Sequence, residues 1–393
     1  MQSFSYYCPT KVVFGECAEA RTAAEIRAFG GRRVFLVYGG GSAVRSGLLD
    51  RLTRQMSEAG IACETFGGVQ PNPRVEHARE GVVKALEFQA DFILGVGGGS
   101  VLDTAKAIAH GAANPGTDLW DFWLGKARLT RSLPVGAVLT IPAAGSETSD
   151  SSVLTDEATG VKRGLSTQLN RPRFAIMDPC LTFTLPKYQV GCGIVDIMMH
   201  TMDRYFTPTK GNQLTDRFAE ALLRNVIENG RIAIRDAHNY DAMSELMWSG
   251  SVSHNGLTGL GAEKDFAPHK LGHELSGKFD VAHGASLSVM WPAWAAHCWK
   301  AHPERFVQFG REVWGIEKPT AEEAALAAIE ATTDYFRSLD MPVSFTELGI
   351  GVQSEEMLLE LADRATRGDT IKLGSFLPMD RADALAAYRL ANH

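Results

Sequence analysis

Hydrophobic positions change period once along the chain. In the first half, short apolar runs alternate with helical patterns. Lys11–Gly15, Arg33–Tyr38, Ile61–Phe66, Asp91–Val96, Val135–Ile141 and Phe174–Asp178 each read as strands. Several are apolar throughout, as parallel strands buried on both faces must be. Helical spacing follows through Leu48, Leu49, Leu52 and Met56, again from about Arg74 to Phe88, and through Leu102, Ala105 and Ile108. Residues 153–165 read as a β-hairpin turning near Ala158–Gly160. Beyond Leu185-Pro186 only the 3.6-residue period remains. It predicts helices over 187–206, 211–235, 239–258, 264–277, 284–300, 303–314, 320–339, 354–367 and 377–391. The expectation is an α/β domain with a parallel sheet over residues 1–185, followed by an all-helical domain over 186–393. That division suits 393 residues, since single cores stop growing at roughly 250–300.

Two strands end in the same turn, Gly39-Gly-Gly-Ser42 and Gly97-Gly-Gly-Ser100. Glycine lets a backbone approach a ligand closely, and a helix start offers N–H groups to an anion. Any tight strand–helix connection can use the same residues. Two such turns on strands able to lie side by side favour a dinucleotide. Tyr38 leads into glycine with no acid at the strand end. An acid there holds the ribose hydroxyls of NAD and would repel the 2′-phosphate of NADP, so Gly39, Gly40 and Ser42 point to NADP over NAD.

The helical half carries Asp196-x-x-x-His200 and His269-x-x-x-His273, followed by His283-Gly284. Residues four apart share a helix face, and a carboxylate with imidazoles suits borderline divalent metals such as Zn²⁺ or Fe²⁺. Spacing alone does not separate such a site from hydrogen-bonded surface pairs and core histidines. Composition narrows the remaining classes. The chain is 45% hydrophobic and 22% charged, with net charge −7 and no long run of either sign. Nucleic acid and anionic membranes are therefore not expected partners. Six scattered cysteines without Cys-x-x-Cys, and an N-terminus unlike a signal peptide, suggest reduced thiols and a cytoplasmic setting. Cys192 lies near Asp196 but reads as a structural thiol.

Taken together, Tyr38–Ser42, Pro71-Asn-Pro73, Gly97-Gly-Gly-Ser-Val-Leu-Asp103, Gly145-Ser-Glu147, Asp178-Pro179 and the Asp/His motifs resemble the iron-containing (group III) alcohol dehydrogenases, most closely their aldehyde reductase and butanol dehydrogenase branch. The resemblance implies a metal-dependent oxidoreductase moving hydride between NADP(H) and a small alcohol or aldehyde. Asp196, His200, His269 and His283 would hold one divalent metal, Fe²⁺ or Zn²⁺, and His273 would relay a proton. The resemblance assigns Gly97, Gly98, Gly99, Ser100 and Asp103 to the pyrophosphate turn, and Asn72, Thr140, Lys162 and Thr182 to the rest of the cofactor pocket. Read alone, Lys162 is a solvated hairpin lysine. Pro142–Glu147 is shorter than the Thr-rich turn of many members, as in the aldehyde-reductase branch. The chemistry is expected in a cleft between the domains, and the resemblance further implies a homodimer, with the N-terminal strand as a candidate edge. A zinc- and nucleotide-dependent lyase of the dehydroquinate-synthase type would need a basic cluster near the ligand segments, and none is evident. A non-catalytic nucleotide- and metal-binding protein would not need His273.

Overall fold

Apolar strands and glycine turns build the first half as anticipated. The computed structural model describes residues 1–393, which divide into two compact units: Tyr7–Thr184, and Leu185–His393 together with Met1–Tyr6. The first six residues thus belong with the helical unit, not with the α/β unit in which the sequence reading placed them.

In the α/β unit the order is β1 (Lys11–Phe14), α1 (Thr22–Ala28), β2 (Arg33–Tyr38), α2 (Ser42–Arg45), α3 (Leu48–Glu58), β3 (Ala62–Phe66), α4 (Val75–Glu87), β4 (Phe92–Gly97), α5 (Gly99–Ala113), α6 (Leu119–Trp123), β5 (Val135–Leu139), β6 (Ser151–Asp156), β7 (Val161–Ser166) and β8 (Phe174–Met177). Six strands form one parallel sheet in the order β1-β8-β5-β4-β2-β3. Central strands β4, β5 and β8 are buried at every residue, which is why they read as unbroken apolar runs. Edge strand β3 is mostly exposed or half-buried and correspondingly polar. β6 and β7 pair antiparallel as the anticipated hairpin.

From β2 the chain steps to β3 on one side, then returns to β4 on the other, and β5 follows beyond β4. Strand order therefore reverses between β2 and β4, which are directly paired with Tyr38 opposite Val96. Ligands of open α/β sheets bind outside the carboxyl ends of strands at such a reversal. Both Gly-Gly-Gly-Ser turns sit there.

The second unit holds α7 (Lys187–Tyr205), α8 (Gln213–Ala233), α9 (Tyr240–His254), α10 (Ala267–Phe279), α11 (His283–Cys298), α12 (Pro303–Trp314), α13 (Ala321–Ser338), α14 (Glu355–Ala365) and α15 (Arg381–Ala391). Its core gathers Trp291, Trp294, Phe306, Phe309 and Phe376 around Phe206. Trp291, Trp294 and Trp299 are packing residues, whereas Trp248 is 46% exposed. Gly284 lets α11 reach α7: a Cβ there would lie 2.2 Å from the Cys192 carbonyl oxygen. Gly272 likewise brings α10 against Ser286 of α11, where a Cβ would lie 3.0 Å from its hydroxyl. No helix is long and apolar enough to cross a membrane.

Candidate active site

In the helical unit the close approach of α7, α10 and α11 brings the motif side chains together. Asp196 and His200 lie one turn apart on α7, His269 is in the first turn of α10, and His283 opens α11. Asp196 Oδ1 lies 3.4 Å from His200 Nε2, 3.8 Å from His269 Nε2 and 3.9 Å from His283 Nε2. Three ring nitrogens thus face one carboxylate oxygen. About 3.4 Å is the edge of a tetrahedron whose bonds are ~2.1 Å, the usual zinc–ligand length. Asp196, His200 and His269 are buried and place ligand atoms within 4.8 Å of one another. Asp196 Oδ1 and His269 Nε2 make no hydrogen bond within the protein. Buried polar atoms are costly unless satisfied, and a divalent cation would satisfy both. The donor set and the orphaned atoms therefore fit a metal. His273, one turn along α10, has its ring centred 5.2 Å from that of His283 and 6.2 Å from that of His269.

Neighbouring groups set the protonation of the candidate ligands His200 and His269 and of the nearby Cys192. Burial holds the His200 pKa well below its ordinary value, helped by the nearby charges of His254, His269 and Arg204, so the ring stays neutral as ligation requires. Burial also works to lower the His269 pKa, but Asp203, with Asp196, reverses this and pushes it up to about 9. Asp203 accepts a hydrogen bond from His269 Nδ1. That contact fixes the tautomer and turns Nε2 toward Asp196, the carboxylate–histidine–metal arrangement. Burial drives the Cys192 thiol up to about 12, so it stays protonated and is no thiolate ligand.

The start of α10 is fastened independently. Asp265 donates its backbone N–H to the Asp203 carbonyl, and its buried carboxylate accepts the N–H groups of Ala267, Ser375 and Phe376 at 2.8–2.9 Å. Phe266, next in sequence, sits at φ +58°, a conformation bulky residues avoid. Its ring stands edge-on to both His200 and His269. Asp203, His254, Asp265 and Phe266 were not anticipated from the sequence. Asp203 had a readable signal, because it falls seven residues after Asp196 and so on the same helix face.

In the α/β unit, α5 starts at Gly99, within the second glycine turn, with no side-chain cap on its N-terminus, which leaves that end suited to an anion. Glycine at 97 and 98 is also a packing requirement. A Cβ would lie 2.5 Å from Val101 at the first and 2.1 Å from Ile141 at the second. Asp103 turns inward: its carboxylate accepts the Ser146 hydroxyl at 2.7 Å and the Val153 N–H at 2.9 Å. Fully buried Lys106 donates to the Ser146 carbonyl and hydroxyl and to the Ser151 carbonyl at 2.7–2.8 Å. Together they fasten the Gly145-Ser146-Glu147 turn to α5. Lys162 is not a solvated hairpin lysine. It is 6% exposed and donates to Asn72 Oδ1 at 2.9 Å, with Asn72 held at φ +54°. Thr182 is fully buried and donates to the Pro179 carbonyl at 2.6 Å, while Thr140 is half-buried beyond the end of β5. At the first turn, a Cβ on Gly39 would meet Val101 and the Val69 carbonyl at an ordinary 3.5 Å.

Comparison with known proteins places the chain in a family. Residues 9–179 match the family model described as iron-containing alcohol dehydrogenase, and residues 192–391 match the C-terminal model of the Fe-containing alcohol dehydrogenase family. Over 391 residues the chain is 38% identical to NADH-dependent butanol dehydrogenase A of Clostridium acetobutylicum, covering 99% of each chain. It is 35% identical to NADPH-dependent aldehyde reductase YqhD of Escherichia coli over 92% of each. The crystal structure of NADH-dependent butanol dehydrogenase A from Thermotoga maritima superposes with a TM-score of 0.96 at 33% identity, covering 100% of this chain and 99% of that one. These matches give no support to a lyase or a non-catalytic scaffold. The chain belongs to the iron-containing alcohol dehydrogenase family and is a metal-containing, nicotinamide-dependent alcohol–aldehyde oxidoreductase.

Proposed function

We propose that this enzyme reduces small aldehydes with NADPH, in reverse oxidising the alcohol, at a single divalent ion held by Asp196, His200, His269 and His283. The observation that carries the reading is the convergence of three imidazole Nε2 atoms on Asp196 Oδ1. When bound, the ion supplies Lewis-acid polarisation of the substrate oxygen, and the nicotinamide supplies or takes up the hydride. The protein's side chains perform the rest. Asp203 holds the His269 ring in its ligating tautomer. His273, half-buried beside His269 and His283, passes the proton between the substrate oxygen and solvent.

In the α/β unit, residues 7–184, the amides of Gly97, Gly98, Gly99 and Ser100 at the start of α5 bind the pyrophosphate, and Asp103 keeps the adjoining turn in place. Asn72 and Lys162 act as a bonded pair facing the cofactor ribose, with Thr140 and Thr182 lining the same pocket. The 2′-phosphate of NADP is received by Gly39, Gly40 and Ser42, where no carboxylate repels it. The relatives' names divide between NADH and NADPH, so this preference rests on Gly39 itself. All six cysteines are free, in keeping with a reducing cytoplasm. The edge position of β1, with Phe14 exposed, supports a homodimer.

The test is butanal reduction with each cofactor, before and after chelation and metal add-back. The expected result is metal-dependent turnover with higher kcat/KM for NADPH. Turnover favouring NADH would overturn the cofactor assignment, and turnover indifferent to metal would overturn the site.

A further inference from the structure

We propose that His254, at the C-terminal end of α9, is a positioning residue that orients the metal ligand His200 by stacking on its face. The proposal rests on the metal-site reading above. The two rings lie 4.0 Å apart between centroids at an interplanar angle of 26°, and His254 is 8% exposed.

A second, independent observation gives the stack its purpose. Ligating histidines are ordinarily oriented through their other ring nitrogen, which donates to a carboxylate, a carbonyl or water. His269 follows that rule through Asp203. His200 does not, because its Nδ1 is buried and makes no hydrogen bond. Its ring plane is therefore set by packing alone. His254 covers one face, the His269 ring lies tilted beside it with centroids 4.4 Å apart at 35°, and Phe266 approaches edge-on with centroids 6.5 Å apart at 64°. The His254 stack is the closest and most nearly parallel of the three, and His254 is the neighbour outside the proposed ligand set that opposes rotation of the His200 ring about its Cβ–Cγ bond over a whole face. His254 thus does for His200 by stacking what Asp203 does for His269 by hydrogen bonding.

The test uses the full-length protein stripped of metal and titrated with Co²⁺. Affinity is read by competition with a chromophoric chelator, and ligand geometry by the visible absorption of the bound cobalt. Four proteins are compared: wild type, His254→Ala, His254→Phe and His200→Ala. Removing an outer-shell partner typically weakens binding about 10–100-fold, and His254→Ala is expected to do so with an altered cobalt spectrum. His254→Phe keeps the flat face without ring nitrogens and should restore both affinity and spectrum. Wild-type affinity and spectrum in His254→Ala would overturn the proposal. So would a loss in His254→Phe equal to that in His254→Ala, since a ring nitrogen would then be the active feature. If His254→Ala fails to fold, the His254→Phe comparison decides alone. Failure of the metal-site reading looks different: wild type would take up no Co²⁺, or His200→Ala would bind it as well as wild type does.

Discussion

A carboxylate oxygen surrounded by three imidazole nitrogens is stabilised either by protons on those nitrogens or by a cation between them. The surroundings act differently on the two rings: burial and adjacent charges keep His200 neutral, whereas against the pull of burial Asp203 raises the His269 pKa to about 9 while holding the proton on Nδ1, so an incoming cation displaces the proton on Nε2. Asp203→Asn should therefore weaken metal binding about 10–100-fold, as measured by competition with a chelator. Unchanged affinity would show that Asp203 serves folding only. Gly39→Asp carries the cofactor argument at one residue. Its Cβ has ordinary van der Waals room and the backbone is not left-handed, so the variant should fold. The added carboxylate should lower the ratio of kcat/KM for NADPH over NADH by about 100-fold, an effect of roughly 3 kcal/mol. A ratio that does not move would remove Gly39 from the explanation. The clustering of Asp196, His200 and His269 was suggested in one dimension by the helix-face spacings Asp196–His200 and His269–His273, while the full proposed ligand set with His283 came from the family resemblance. Lys162 read alone resembles a solvated hairpin lysine because its partner, Asn72, is remote in sequence; the family resemblance is what assigned it to the cofactor pocket. The stack of His254 on His200 joins two different helices, so no spacing rule could reveal it.

Among elements, the site depends on how closely α7, α10 and α11 approach. Gly284 sets that distance, with no room for a methyl group against the Cys192 carbonyl. Gly284→Ala should destabilise the metal-free protein by at least about 1–3 kcal/mol and weaken metal binding as His283 is pushed away from Asp196. Denaturant unfolding and a Co²⁺ titration read the two effects separately. A stable variant with wild-type affinity would mean that the helices accommodate the methyl group. Helices of the second unit were readable from sequence by an apolar stripe in α8, α12 and α14 and by long, nearly continuous apolar stretches in α7 and α11, which are buried almost all round. α6 escaped notice because five residues, Leu119–Trp123, are too few to show a period. The reversal of strand order between β2 and β4 was also not readable. Alternating strands and helices imply a parallel sheet but leave the order of its strands open, and the two glycine turns show only that their strands are able to be neighbours.

For the whole molecule, pH stability offers a test that depends on neither metal nor cofactor. His110 on α5 is buried, with Nδ1 2.8 Å from the Ser132 hydroxyl and Nε2 2.8 Å from Asn170 Oδ1. Asn170 in turn donates to the carbonyls of Asp150 and Leu165, tying the β6–β7 hairpin into the unit. Burial lowers the His110 pKa from 6.5 to about 4. Between those values the unfolded chain binds the proton and the folded one does not, so stability is fully present above about pH 6.5 and declines as pH falls toward 4. The loss from this residue alone approaches about 3 kcal/mol. Urea unfolding at pH 7 and pH 4.5 should show a smaller acid loss in His110→Gln than in wild type. Equal losses would mean that His110 does not contribute.

The central claim is that Asp196, His200, His269 and His283 hold the one ion on which hydride transfer depends. The most direct test combines metal content per chain with butanal-dependent NADPH oxidation, in wild type and in His283→Ala. We expect one Fe²⁺ or Zn²⁺ per wild-type chain, activity lost on chelation and restored by add-back, and in the variant a loss of metal together with at least about 10³-fold of kcat, the several kcal/mol a Lewis acid supplies. A His283→Ala protein that keeps its ion and turns over at the wild-type rate would contradict the claim.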